Sequence, residues 1–150
     1  MNATYNRGLF RMGSFNWDTD VIDLGILLVK NTYVFSRLHN IVSDLNIAAN
    51  EASGVGYARK IVTAAFRTTT EDDGNNWASF KITNSAVVWT AIDAGVDLRI
   101  VMFFIDGAGS GDDANNNLLC YIDTGTFIPI ATNGGDATLN FDVTGALRAS

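Results

Sequence analysis

Two apolar runs constrain this chain more than any other feature: "LGILLV" at 24–29 and "IVMFFI" at 100–105. Both are far shorter than the roughly 18 residues of a membrane span, and both have the length of a strand. In the first, Leu24, Ile26 and Leu28 alternate with Gly25, Leu27 and Val29. Successive side chains of a strand point to opposite faces, so both faces of this one are apolar and both must be covered. A chain of 150 residues can do this, since at that length folding buries about 70% of the unfolded chain's surface. It needs no metal or disulfide to hold its core.

The rest of the chain continues in the same idiom. Residues 61–68 read as one strand, 69–76 ("TTEDDGNN") as a polar turn, and 77–83 as a returning strand with Ala78, Phe80 and Ile82 inward. A short strand follows at 87–89, then a long apolar one at 98–105 and another strand at 118–123. Ala137, Leu139, Phe141 and Val143 then alternate with Thr138, Asn140 and Asp142, the pattern of a strand with one wet face. Gly145 turns the chain into a last short strand through Leu147. Glycine-rich links and a single proline between closely spaced strands predict a mainly β fold, an antiparallel β-sandwich, over one domain of residues 1–150. Two segments depart from it. Tyr5, Leu9 and Met12 are spaced for a short N-terminal helix over 3–13, with Gly13 as its stop. Leu38, Ile41, Val42 and Leu45 are spaced for a short helical segment near 36–46, with Ser36 placed to cap it.

The chemistry-bearing residues are sparse. The formal net charge is −6, and residues 76–150 carry three basic against eight acidic side chains. Only Arg59 and Lys60 are adjacent, so no basic patch for nucleic acid is expected. The start, "MNATYNRGLF", lacks a signal peptide's basic end and long apolar middle, and residence without secretion is expected. Cys120 is the single cysteine and, in "LLCYID", shares a strand face with Leu118 and Ile122, which reads as a buried inert thiol. The stretch "NEASGVGYARKIV" (50–62) invites comparison with a phosphate-binding loop, but it lacks the third glycine, the Gly-Lys-Ser/Thr ending and a following helix. Gly54 and Gly56 are instead read as a structural turn that feeds a strand. The acidic loop "DGAGSGDDANNN" (106–117) has Ala108 and Ser110 where the calcium-loop pattern has Asp or Asn, so no metal is assigned. His39 is the only histidine, and no G-x-S-x-G elbow accompanies it. A hydrolase built on it would need His39 in a pocket. Trp17, Trp77 and Trp89 sit among apolar neighbours, which favours core or subunit-interface packing over sugar stacking. No catalytic or cofactor-binding residue emerges.

Taken in order, "NWDTDVIDLGILLV", "NEASGVGYARKIV", "FKITNSAVVWTAIDAGVDLRIVMFFID", "LLCYIDTG" and "ATLNFDVTGALR" resemble small β-sandwich virion structural proteins of tailed bacteriophages. The resemblance spans nearly the whole chain through short phrases, and the segment near 36–46 departs from the looser loop of that pattern. It implies a jelly-roll-like sandwich without cofactor or enzymatic activity. The implied role is a capsid decoration or cement protein on the outer surface of the head. Its implied partners are the major capsid protein and further copies of itself, a trimer by the symmetry of icosahedral shells, with Trp17 and Phe103 at the apolar centre of the contact. Neither nucleic acid nor membrane is implied as a partner. A tail or fibre-tip protein that holds host-surface sugars is the alternative, favoured if the tryptophans are exposed.

Overall fold

The computed structural model describes residues 3–14, 16–72, 77–83, 87–92, 95–125, 128–141 and 147–149, with 70–72, 77–80 and 147–149 described by backbone alone. The chain is mainly β, and every paired strand is antiparallel. The central sheet has five strands: β1 (Ala3–Thr4), β2 (Leu24–Lys30), β3 (Lys60–Val62), β7 (Leu98–Phe104) and β8 (Leu118–Ile122), in the order β1-β8-β7-β2-β3. Strands β4 (Arg67–Asp72), β5 (Trp77–Ile82) and β10 (Leu147–Ala149) form a second sheet, ordered β10-β5-β4. Strands β6 (Val87–Trp89) and β9 (Ala137–Leu139) pair as a two-stranded ribbon. This layered antiparallel arrangement is compatible with a sandwich.

The two apolar runs are neighbours at the centre of the main sheet, paired over seven positions from Leu24↔Phe104 to Lys30↔Leu98. Both faces are covered, as their unbroken apolar character requires. On one face Leu24, Ile26, Leu28, Ile100, Met102 and Phe104 pack with Trp17, Ile82, Val87 and Trp89, so that both small sheets contribute. On the other, Leu27, Val29, Val101 and Phe103 pack with Tyr5, Tyr33, Val42 and Leu45. The second face is therefore closed by Tyr5 and the segment after β2 and not by another sheet.

Gly25 is the one gap in this double pattern, and it is filled. A Cβ built there would lie 2.1 Å from Cζ of Phe103, so the ring occupies the space the glycine leaves.

Four expectations are corrected. The helix expected over 36–46 is a 3-10 turn at Val42–Leu45 followed by one α-helical turn, α2 (Ile47–Asn50). Residues 37–40 lie along β8 instead: Leu118 N–H donates to the Asn40 carbonyl, and Ile41 bridges Asn117. Asp44 then accepts the N–H groups of Asn40 and Ile41, which starts the turn later than Ser36. Leu38, expected on the apolar stripe, is 77% exposed. The strand expected over 61–68 is two strands in different sheets, parted by a 3-10 turn at Ala64–Phe66 whose first N–H is taken by the Asp23 carboxylate. Leu118 does not share a face with Cys120, because the register shifts between Met102 and Phe103, with Cys120 and Leu118 as their partners. Leu119 is then the extra residue of a bulge, and the residues on either side of it turn to opposite cores. The strand expected through 137–143 ends at Leu139, and residues 142–146, including Gly145, lie outside the described ones.

The N-terminal helix is α1 (Asn6–Gly13), one turn shorter than expected at its start. Its seating is unusual. It rests on β8 through Gly8, where an added Cβ would lie 2.3 Å from the Leu119 carbonyl oxygen. Tyr5 and Met12 turn to the core, but Leu9 is 53% and Phe10 68% exposed.

Candidate functional site

The most organised polar cluster grows from "NEASGVGYARK". Gly54 and Gly56 have φ of 118° and 77°, the left-handed region in which glycine has no steric cost. At Gly56 space is also short: a Cβ would stand 2.2 Å from the Thr90 carbonyl oxygen. Gly95, with φ 70° and nothing within 4 Å of a Cβ, has the strain without the clash. Gly56→Ala should therefore cost roughly 3 kcal/mol and Gly95→Ala only about 1. Equal shifts of the two denaturation midpoints would refute the close approach at residue 56.

The corner delivers Glu51, Tyr57 and Arg59 to one place. The Arg59 guanidinium donates to Glu51 through Nε and Nη2, both at 2.7 Å. It reaches across to Asp113 through Nη1 (2.5 Å) and Nη2 (3.2 Å), and also donates to the Ser110 carbonyl. Tyr57 donates its hydroxyl to Glu51 Oε1, the oxygen that also accepts from Arg59 Nε. Hydrogen bonding to Glu51, opposed by burial and reinforced by Asp113, raises the Arg59 pKa above its ordinary range. Burial, then the bond to Glu51, raises that of Tyr57. One guanidinium thus faces two carboxylates, with its donors directed at protein oxygens. The arrangement ties the corner to the 106–117 loop and is chemically a clasp, not an anion-binding site.

The same loop explains its own acids. Asp112 accepts from Ala108 N–H and from the Asn115 amide, and the backbone bond holds its carboxyl below the usual range. Among the described residues, no three His, Cys, Asp or Glu side chains gather where they could hold a metal ion.

His39 ends a hydrogen-bonded chain. Its Nδ1 lies 2.9 Å from the Tyr33 hydroxyl, which lies 3.1 Å from that of Tyr5. The Tyr33 ring meets Tyr121 edge-on, Phe35 stacks on Tyr121, and burial raises the Tyr5 pKa. Cys120 is buried, and desolvation pushes its thiol up to about 12. A groove of about 310 Å³ lies elsewhere, between residues 129–131 and 136–138.

Trp17 and Phe103, expected at a subunit interface, are interior residues, 2% and 0% exposed. Trp17 donates Nε1–H to the Lys81 carbonyl and carries Arg67 over its ring, and Phe103 fills the space above Gly25. Trp89 is also buried and donates to Ala58, so neither it nor Trp17 presents a face to a sugar. The Trp77 side chain lies outside the described ones. The surface apolar residues that sequence reasoning missed include Leu9, Phe10, Val21 (89% exposed), Val34, Leu38 and Val55. A glycine in mid-helix was the available signal, since Gly8 marks the face of closest approach and hence turns Phe10 outward.

Compared with family models, with curated proteins and with solved structures, the chain finds no match.

Proposed function

We propose that this chain is a non-enzymatic structural protein of a tailed-bacteriophage virion, a decoration protein that binds the major capsid protein on the outer surface of the head. Two things support the reading. The ordered phrases from "NWDTDVIDLGILLV" to "ATLNFDVTGALR" resemble such proteins. The carrying observation is the set of large apolar side chains left on an acidic exterior, with Phe10, Leu38 and Val21 each more than two-thirds exposed. Exposed apolar groups rimmed by polar ones mark protein contacts. A negative exterior also fits the outside of a DNA-filled shell, where the inner face would favour basic groups. A decoration protein acts by mass action: binding only the assembled shell makes disassembly costlier.

Heads stripped of this chain should lose resistance to heat and regain it when the protein is added back. Stripped heads that are equally robust, or a chain that copurifies only with tails, would refute the decoration role and favour the tail alternative.

A further inference from the structure

Among the exposed apolar residues of the described exterior, which also include Val34 and Val55, two spots stand out for opposite electrical character. The first is the outer side of α1 with the neighbouring 37–38 turn. Asn6 N–H donates to the Arg37 carbonyl, which joins the two segments, and both run along Asn117–Leu119. Here Leu9, Phe10 and Leu38 are exposed, the Arg7 guanidinium sits 5.4 Å from the Phe10 ring centroid, and Arg37 is exposed. Of the carboxylates in this region, Asp106 is paired with Arg11, while Asp44, held by the neutral N–H groups of Asn40 and Ile41, keeps its charge and is outnumbered by Arg7 and Arg37. Arg7 and Arg37 therefore give the spot a positive rim.

The second spot is the turn before β2, "WDTDVID". Val21 is the most exposed large apolar residue recorded, at 89%, and Asp18, Asp20 and Asp23 surround it in sequence. These acids accept hydrogen bonds from neutral donors: Thr69, Asn16 and Ala64. Arg67, which feels all three, offsets one charge and leaves the turn negative.

We propose that the first spot of one copy docks on the second spot of the next, so that this chain self-associates head to tail. The inference deepens the structural role proposed above by naming the surfaces through which copies meet. Charge decides the mode. Two copies of the first spot placed face to face would oppose Arg7 and Arg37 to themselves, and two copies of the second would oppose three aspartates. Only the unlike pair is complementary, with Phe10 and Leu38 against Val21 at the centre and arginine against aspartate at the rim. A contact between unlike surfaces closes into a ring or extends as a filament. Seating α1 on a glycine makes sense in these terms, because it keeps Leu9 and Phe10 for the next copy.

The test is light-scattering mass of the full chain. Wild type should be oligomeric, and more weakly so at high salt. Phe10→Asp and Val21→Arg should each be monomeric, with circular dichroism unchanged because both positions are exposed, and with melting no longer dependent on protein concentration. Mixed one to one, the two variants should form a species of twice the monomer mass, since each retains the surface the other lacks. Wild type that stays monomeric as concentration rises would overturn the proposal. So would a mixture that stays monomeric, or a Phe10→Asp variant that still oligomerises. Its failure and that of the virion role are separable. A monomeric variant that binds stripped heads as wild type does refutes this contact alone, whereas oligomers that ignore heads support the contact and refute the role.

Discussion

Gly25→Ala should lower the stability of the fold by about 3 kcal/mol, the upper part of the usual range for overpacking a core. The cause is local and measurable: three ring atoms of Phe103 stand within 2.5 Å of where the new Cβ must go. Neither partner can give way easily. Gly25 is held in the β2–β7 ladder directly opposite Phe103, and Phe103 is fully buried. For a chain of this size the loss corresponds to a fall in melting temperature of roughly 6–12 °C. Phe103→Leu removes the clashing ring atoms, so the double variant Gly25→Ala/Phe103→Leu should be more stable than the sum of the single losses allows. A double-mutant cycle by denaturant titration measures that coupling. Strict additivity would mean that the ring and the glycine are not paired in this way.

Arg59→Ala should cost about 2–4 kcal/mol, for a different reason. Its side chain and that of Glu51 are 14% and 11% exposed, and Asp113 is 28% exposed. Removing the guanidinium leaves two poorly solvated carboxylates without a counter-charge, Glu51 keeping only the Tyr57 hydroxyl, which costs more than the pair contributes net. The partial exposure of Asp113 keeps the figure below that of a fully buried pair. Arg59→Lys should lose about half as much, because an ammonium cannot fork to two carboxylates. Adding Glu51→Gln to Arg59→Ala should restore part of the loss by removing one stranded charge. The sign of the pH dependence follows from the raised Arg59 pKa. The folded value lies above the unfolded one, so its contribution is complete below the unfolded value and is lost only in strong alkali. Urea titrations between pH 6 and 9 should give the same Arg59→Ala loss, and a loss that vanished within that window would contradict the clasp.

Much of the frame was legible in the residues themselves. An unbroken apolar strand can be satisfied only by cover on both faces, so Leu24–Val29 and Ile100–Phe104 had to be covered by something, and the structure makes them adjacent central strands covered by the chain itself. Gly54 and Gly56 before a strand implied a corner, and both have positive φ. These inferences rest on short-range physics, since pleat alternation and backbone sterics act within a few residues.

What the fold alone decided acts at long range. Helical spacing at 38–45 lost to pairing along β8, because backbone groups near Asn40 and Ile41 found partners almost eighty residues away. Arg59 and Asp113 are 54 positions apart, and nothing in either segment announces the other. Trp17 and Phe103 looked equally suited to a core or an interface, because apolar character says that a side chain is covered but not by what. Only the tertiary structure assigned both to the interior and left Phe10, Leu38 and Val21 outside. Burial is a property of the assembled surface, and the chain's local pattern specifies it only where both faces of an element are apolar.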